Sequence, residues 1–186
     1  IKINDALTIY FDPYDLKEET HDADYIFITH PHWDHFNIES IKKIIKEETI
    51  IIGPHSVIKD LPKENLKNFE VVSENDYHVG NIYFKTIPAY NIFKEYHPKE
   101  RGDVGYLLTL NNITYYIPGD TDVIEPLHNL KADCIFLPVG GTYTMDKDEA
   151  VRLANELKPK IAIPIHYGLA VGTKADALYF KNNLEK

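Results

Sequence analysis

Cysteine is almost missing from this chain: Cys134 is the single thiol in 186 residues. That excludes an internal disulfide framework and suits a reducing cytoplasm, the compartment expected here. No apolar run approaches the roughly 20 residues that cross a bilayer, so no membrane partner is expected. Lys and Arg nowhere cluster beyond ordinary mixed stretches such as Lys42-Lys43. With a formal net charge of −9, the chain lacks the basic face that neutralises phosphates, and no nucleic-acid partner is expected. Repeats, linker composition and a signal-peptide pattern are also missing. The chain opens on strand-like Ile1-Lys2-Ile3, and a few residues are expected upstream of it.

What is present fits one compact domain over residues 1–186, 44% hydrophobic and 12% aromatic. Apolar and β-branched runs predict strands at Leu7–Phe11, Tyr25–Ile28, Thr49–Ile52, Phe69–Val72, Asn81–Ile87, Val104–Leu110, Ile113–Ile117, Cys134–Leu137 and Ile161–Ile165. Cys134 lies in one of these runs and reads as a buried strand residue. Asn111-Asn112 between two β-rich runs predicts a tight hairpin turn. Helices fit between the strands. Ile38, Ile41, Ile44 and Ile45 recur at helical spacing after Asn37, a good N-cap. Asp146 and Glu149 predict a capping box opening a helix over Lys147–Leu157, and Thr173 predicts the cap of a last helix. By strand count alone, both a two-sheet sandwich and one doubly wound sheet accommodate this order.

Four of the apolar runs break into potential metal ligands where a strand would end. The densest is Thr29-His30-Pro31-His32-Trp33-Asp34-His35, four candidate ligands in six residues. A strand points alternate side chains to opposite faces, whereas a short Pro-stiffened loop can aim several one way. Three imidazoles and a carboxylate match borderline divalent metals. Tyr115–Gly119 leads into Asp120, Ile161–Ile165 into His166, and Phe84–Tyr90 into Asn91. In layered α/β proteins, groups beyond the carboxyl ends of strands converge, so these read as parts of one site.

These residues resemble the metallo-β-lactamase superfamily. Its signature of two His followed by Asp-His stands here as His30, His32, Asp34 and His35, with the later Asp in Gly119-Asp120-Thr121 and the late His in Pro164-Ile165-His166. The likeness is closest to the branch that includes L-ascorbate-6-phosphate lactonase, through Pro88-Ala89-Tyr90-Asn91, Pro118–Asp122 and Pro138–Met145. It implies a four-layer αββα sandwich of two mixed sheets with helices outside. It also implies a binuclear centre: His30 and His32 at the first metal, Asp34, His35 and His166 at the second, and Asp120 bridging. Zinc is the expected metal, with manganese or iron as alternatives. Most relatives complete the first site with another His after the middle strand; Asn91 stands there instead, and either Asn91 or His97 completes it here.

The implied activity is that of a metal-dependent hydrolase. A metal-activated water, with Asp34 and Asp120 as catalytic residues, would cleave a small lactone, ester or phosphodiester. A non-catalytic metal- or ligand-binding domain of the same fold is the alternative. Lys94, Lys99 and Arg101 either attract a small anionic substrate or are solvated surface charge. The Gly140-Gly141 loop either offers backbone NH groups to an anion or makes a tight turn. Tyr167 lines the pocket or packs, and Trp33 is expected to pack.

Overall fold

The computed structural model describes residues 1–62 and 66–185. The chain forms two compact units, Ile1–Val72 and Ser73–Lys186. In the first, β1 (Lys2–Asn4), β2 (Thr8–Phe11), β3 (Tyr25–Phe27), β4 (Ile50–Pro54) and β5 (Lys67–Val71) form a five-stranded sheet in that order. Only the β1–β2 pair is antiparallel. A parallel strand covered on both faces reads as continuous apolar sequence, which is why Tyr25, Ile26 and Phe27 are all buried. The core of this unit gathers Ile26, Ile28 and Ile51 with Ile41 and Ile44 of α1 (Ile38–Ile44) and Val57 of α2 (His55–Ile58). Asn37 caps α1 as the sequence predicts, its side chain accepting from the Ser40 NH at 2.8 Å.

The second unit carries a six-stranded mixed sheet of β6 (Asp76–Val79), β7 (Ile82–Pro88), β8 (Val104–Leu110), β9 (Ile113–Ile117), β10 (Cys134–Pro138) and β11 (Ile161–Ile165), ordered β11-β10-β9-β8-β7-β6. The first four of these form antiparallel hairpins; β10 runs parallel to both β9 and β11. Asn111 and Asn112 turn β8 into β9 with φ of 46° and 63°, the left-handed pair that a two-residue hairpin needs and Asn tolerates. Helices α3 (Lys147–Leu157) and α4 (Lys174–Asn182) both open on capping boxes, Asp146 with Glu149 and Thr173 with Asp176. Ala150, Leu153 and Ala154 of α3 and Phe180 of α4 close the core with Tyr116, Ile135 and Leu137.

The chain therefore has two mixed sheets with helices, the expected class, and the single doubly wound sheet is excluded. The strand β6 and the short helix α2 go beyond the sequence prediction. The alternation in β6 is exposed Asp76, half-buried Tyr77, exposed His78 and buried Val79, too polar to stand out before its pairing with β7 is known. Among the described residues no helix is long and apolar enough to cross a membrane.

Candidate metal centre

In the first unit, β3 ends at Phe27 and the ligand-rich segment follows as an irregular loop running into α1. His30 and His35 are buried there. His30 Nε2 lies 3.1 Å from His32 Nδ1, the rings of His30 and His35 have centroids 4.1 Å apart, and His35 Nε2 is 3.6 Å from Asp34 Oδ2. The four residues read from the sequence are thus brought together. Trp33 between them is 59% exposed and meets the Tyr14 ring edge-on, so it is largely exposed where a packed residue was expected.

What holds this loop is Asp12, a residue that sequence reasoning missed. It follows β2 in the left-handed conformation, φ 45°. One of its oxygens accepts from the Thr29 NH at 2.8 Å. The other accepts from Thr29 Oγ1 at 2.7 Å and faces His35 Nδ1 at 2.8 Å. A carboxylate only accepts, so His35 donates its Nδ1–H and keeps the lone pair on Nε2. Because Thr29 spends its hydroxyl proton on Asp12, its oxygen is left to accept from His30 Nδ1, 2.9 Å away, which fixes the same tautomer in His30.

In the second unit, the ends of β7, β9 and β11 supply Asn91, Asp120 and His166 from the loops that follow them. Asp120 is buried, and its Oδ2 is met by two imidazoles, His97 Nε2 at 3.3 Å and His166 Nε2 at 3.2 Å. Two other buried carboxylates here are matched by cations. Lys94 pairs with Asp122, and Arg101 grips Asp103 through Nε at 2.9 and 2.8 Å. Burial pushes the Asp103 carboxyl above its ordinary value, against the pull of Arg101. Lys94 and Arg101 are thereby committed within the protein rather than held out for an anionic substrate, and Lys99 lies over the Tyr90 ring at 5.0 Å. That leaves the charge of Asp120 facing two histidines.

Asn91 is buried, but its amide is already occupied. Oδ1 accepts from the His97 NH at 3.1 Å and lies 3.0 Å from His97 Nδ1. Nδ2 donates to Asp122 Oδ1 at 3.1 Å and to the Tyr143 carbonyl at 2.9 Å. Of the two residues that could complete the first site, His97 is therefore the one turned toward Asp120, with Asn91 behind it.

The position of His166 depends on glycine. His166 itself is left-handed, φ 56°, a conformation costing a non-glycine residue roughly 1–2 kcal/mol. A Cβ at Gly140 would sit 2.5 Å from the His166 carbonyl oxygen and 2.8 Å from Val171 Cγ2. Gly140 thus permits close approach of two loops, the tight-turn reading of this segment. Tyr167 is 38% exposed and lines a groove with Lys174, Leu178 and Lys181 of α4. Cys134 is buried in β10, which pushes its thiol pKa up.

Residues 1–166 match the model of the family described as "Beta-lactamase superfamily domain". The chain is 30% identical over 185 residues to the UPF0173 metal-dependent hydrolase of Nanoarchaeum equitans, covering 96% of this chain and 84% of that one. It is 29% identical over 182 residues to the UPF0173 metal-dependent hydrolase of Staphylococcus aureus, 90% of this chain and 78% of the relative. Among solved structures, a candidate metal-dependent hydrolase from Parabacteroides distasonis superposes with a TM-score of 0.79 at 30% identity, covering 97% of this chain and 84% of that one.

Proposed function

Because this chain belongs to the metallo-β-lactamase superfamily, as one of its metal-dependent hydrolases, we propose that it cleaves a small lactone, ester or phosphodiester in the cytoplasm, using water activated at a binuclear centre. As the superfamily's pattern implies, His30, His32 and His97 would serve as ligands of one metal and Asp34, His35 and His166 of the other, with Asp120 the carboxylate shared by both. The observation that carries it is the convergence of His97 and His166 on a single oxygen of buried Asp120. Two imidazole nitrogens meeting one carboxylate oxygen are the kind of donor set that a divalent cation takes. Nitrogen-rich ligands with carboxylates suit zinc, with manganese or iron as alternatives.

When bound, the metals lower the pKa of a water and polarise the carbonyl or phosphoryl oxygen of the substrate. The protein's own residues do the rest. Asp12 and Thr29 orient His35 and His30 through their Nδ1 atoms, which turns Nε2 of each ring toward the rest of the cluster. Asp34, whose side chain is 22% exposed, orients the attacking water, accepts its proton and returns that proton to the leaving group. No Ser or Cys nucleophile is required, in keeping with the burial of Cys134.

The test is metal analysis of the purified protein together with a panel of lactones, simple esters and bis-p-nitrophenyl phosphate. About two metals per chain, with turnover of one substrate class that is lost in Asp120→Ala and His32→Ala, is the expected result. Bound metal without turnover across the panel would move the reading to a non-catalytic metal-binding domain, and a chain that binds no divalent metal would overturn it.

A further inference from the structure

The polarity of the groups around Asn91 fixes more than the position of its side chain. Its Nδ2 faces a carboxylate oxygen of Asp122 and the Tyr143 carbonyl, both obligate acceptors, so this end of the amide is the NH2. Its Oδ1 faces the backbone NH of His97, an obligate donor, so this end is the carbonyl. The remaining partner of that carbonyl, His97 Nδ1 at 3.0 Å, must then bring a proton. The orientation is locked from behind as well: Asp122 also accepts from the Ile92 NH at 2.9 Å and pairs with Lys94, whose ammonium also donates to the Thr144 carbonyl at 2.9 Å.

We infer that Asn91 is a positioning residue that holds the proton of His97 on Nδ1, so that Nε2 is the nitrogen presented beside Asp120. In a buried site an amide does this without adding a negative charge next to Asp103, Asp120 and Asp122, as a carboxylate in the same place would. Asn91 thus serves the metal centre through His97 and is not itself a ligand. The inference rests on the reading of His97 as a ligand.

It is tested by long-range proton–nitrogen correlation spectra of the full chain labelled with 15N-histidine, metal-free, at a pH of about 8.5 where free imidazoles are neutral. The His97 signals are assigned by their loss in His97→Gln. The native protein is expected to show His97 with a protonated Nδ1 and a bare, pyridine-type Nε2. Asn91→Leu, which removes the acceptor, is expected to give a mixture of both tautomers and to weaken one of two zinc-binding steps by about 10–100-fold. A native spectrum showing His97 protonated on Nε2, or an unchanged Nδ1–H tautomer in folded Asn91→Leu, overturns the inference while zinc binding by the native chain still stands. Failure of the native chain to bind zinc overturns the ligand reading and the inference with it. Should Asn91→Leu not fold, the native spectrum decides alone.

Discussion

Replacing Gly140 by Ala adds one atom that collides with the loop carrying a proposed ligand, at the His166 carbonyl oxygen and at Val171 Cγ2. The Gly140 backbone lies outside the left-handed region, so Ala brings no conformational strain and the whole effect comes from its Cβ. That atom would start 2.5 Å from the His166 carbonyl oxygen, and ordinary contact begins at 3.4 Å, so the two loops must part by about 0.9 Å. Overpacking of this kind costs roughly 1–3 kcal/mol, which a domain of this size survives with a Tm lower by about 2–4 °C per kcal/mol. The displacement falls on the residue whose Nε2 stands 3.2 Å from Asp120. A misplacement of about 1 Å at a catalytic constellation can cost roughly 100-fold in rate. The expected variant is folded, binds the second equivalent of zinc at least about tenfold more weakly, and loses turnover of whichever substrate the native protein accepts. Zinc titration against a chromogenic chelator, alongside a thermal melt, reads both quantities. Gly168→Ala is the control: it lies two residues from His166, with φ 83° and nothing within 4 Å of the added atom, so it tests backbone strain without the collision. Native zinc affinity and native Tm in Gly140→Ala would refute the claim that this close approach sets the position of His166.

Two further outcomes follow from single side chains. Asp12→Ala removes the acceptor of His35 Nδ1 and of both Thr29 donors; metal affinity should fall about 10–100-fold and stability by roughly 1–3 kcal/mol for a buried donor left unsatisfied, and native zinc affinity in a titration would refute it. Asp176 accepts from Thr173 at the start of α4 and from Lys147, whose ammonium is the largest influence drawing its pKa down to about 2. With the folded pKa below the ordinary carboxylate value near 3.9, this support is fully present above that value and is lost as pH falls through about 2. Asp176→Asn should lower the urea midpoint at pH 7 and flatten the acid limb of the stability profile, whereas an unchanged acid limb would show that the contact contributes nothing.

Much of this architecture was legible because it is written in local patterns. The strands at Val104–Leu110, Ile113–Ile117 and Ile161–Ile165 coincide with their apolar runs, and the helix at Lys147–Leu157 starts where Asp146 and Glu149 reciprocate across its first turn. Caps and alternation act over a few residues and survive in one dimension. The edge strand β6 escaped because an exposed edge selects for polar side chains, which erases the alternation by which strands are recognised.

The candidate metal ligands were legible for a different reason: imidazoles and carboxylates clustered at strand ends are an unusual choice unless they serve a site, so their residue types mark them. The groups that aim those ligands carry no such mark. Asp12 orients His35 across 23 positions and Asn91 reaches Asp122 across 31, and neither partner can be read from spacing. An Asp before Pro13 looks like a turn acid, and an Asn after β7 looks like a weakened ligand. Asn91 illustrates the ambiguity best, because at the sequence level it stands where most relatives carry a histidine, and either it or His97 could complete the first site. The fold places His97, six positions later, in contact with both Asn91 and Asp120, the geometry on which the positioning role proposed for Asn91 rests. One amide in a buried hydrogen-bond network has four directional partners, and only their polarity, known once the chain is folded, separates a lost ligand from the residue that sets the tautomer of one.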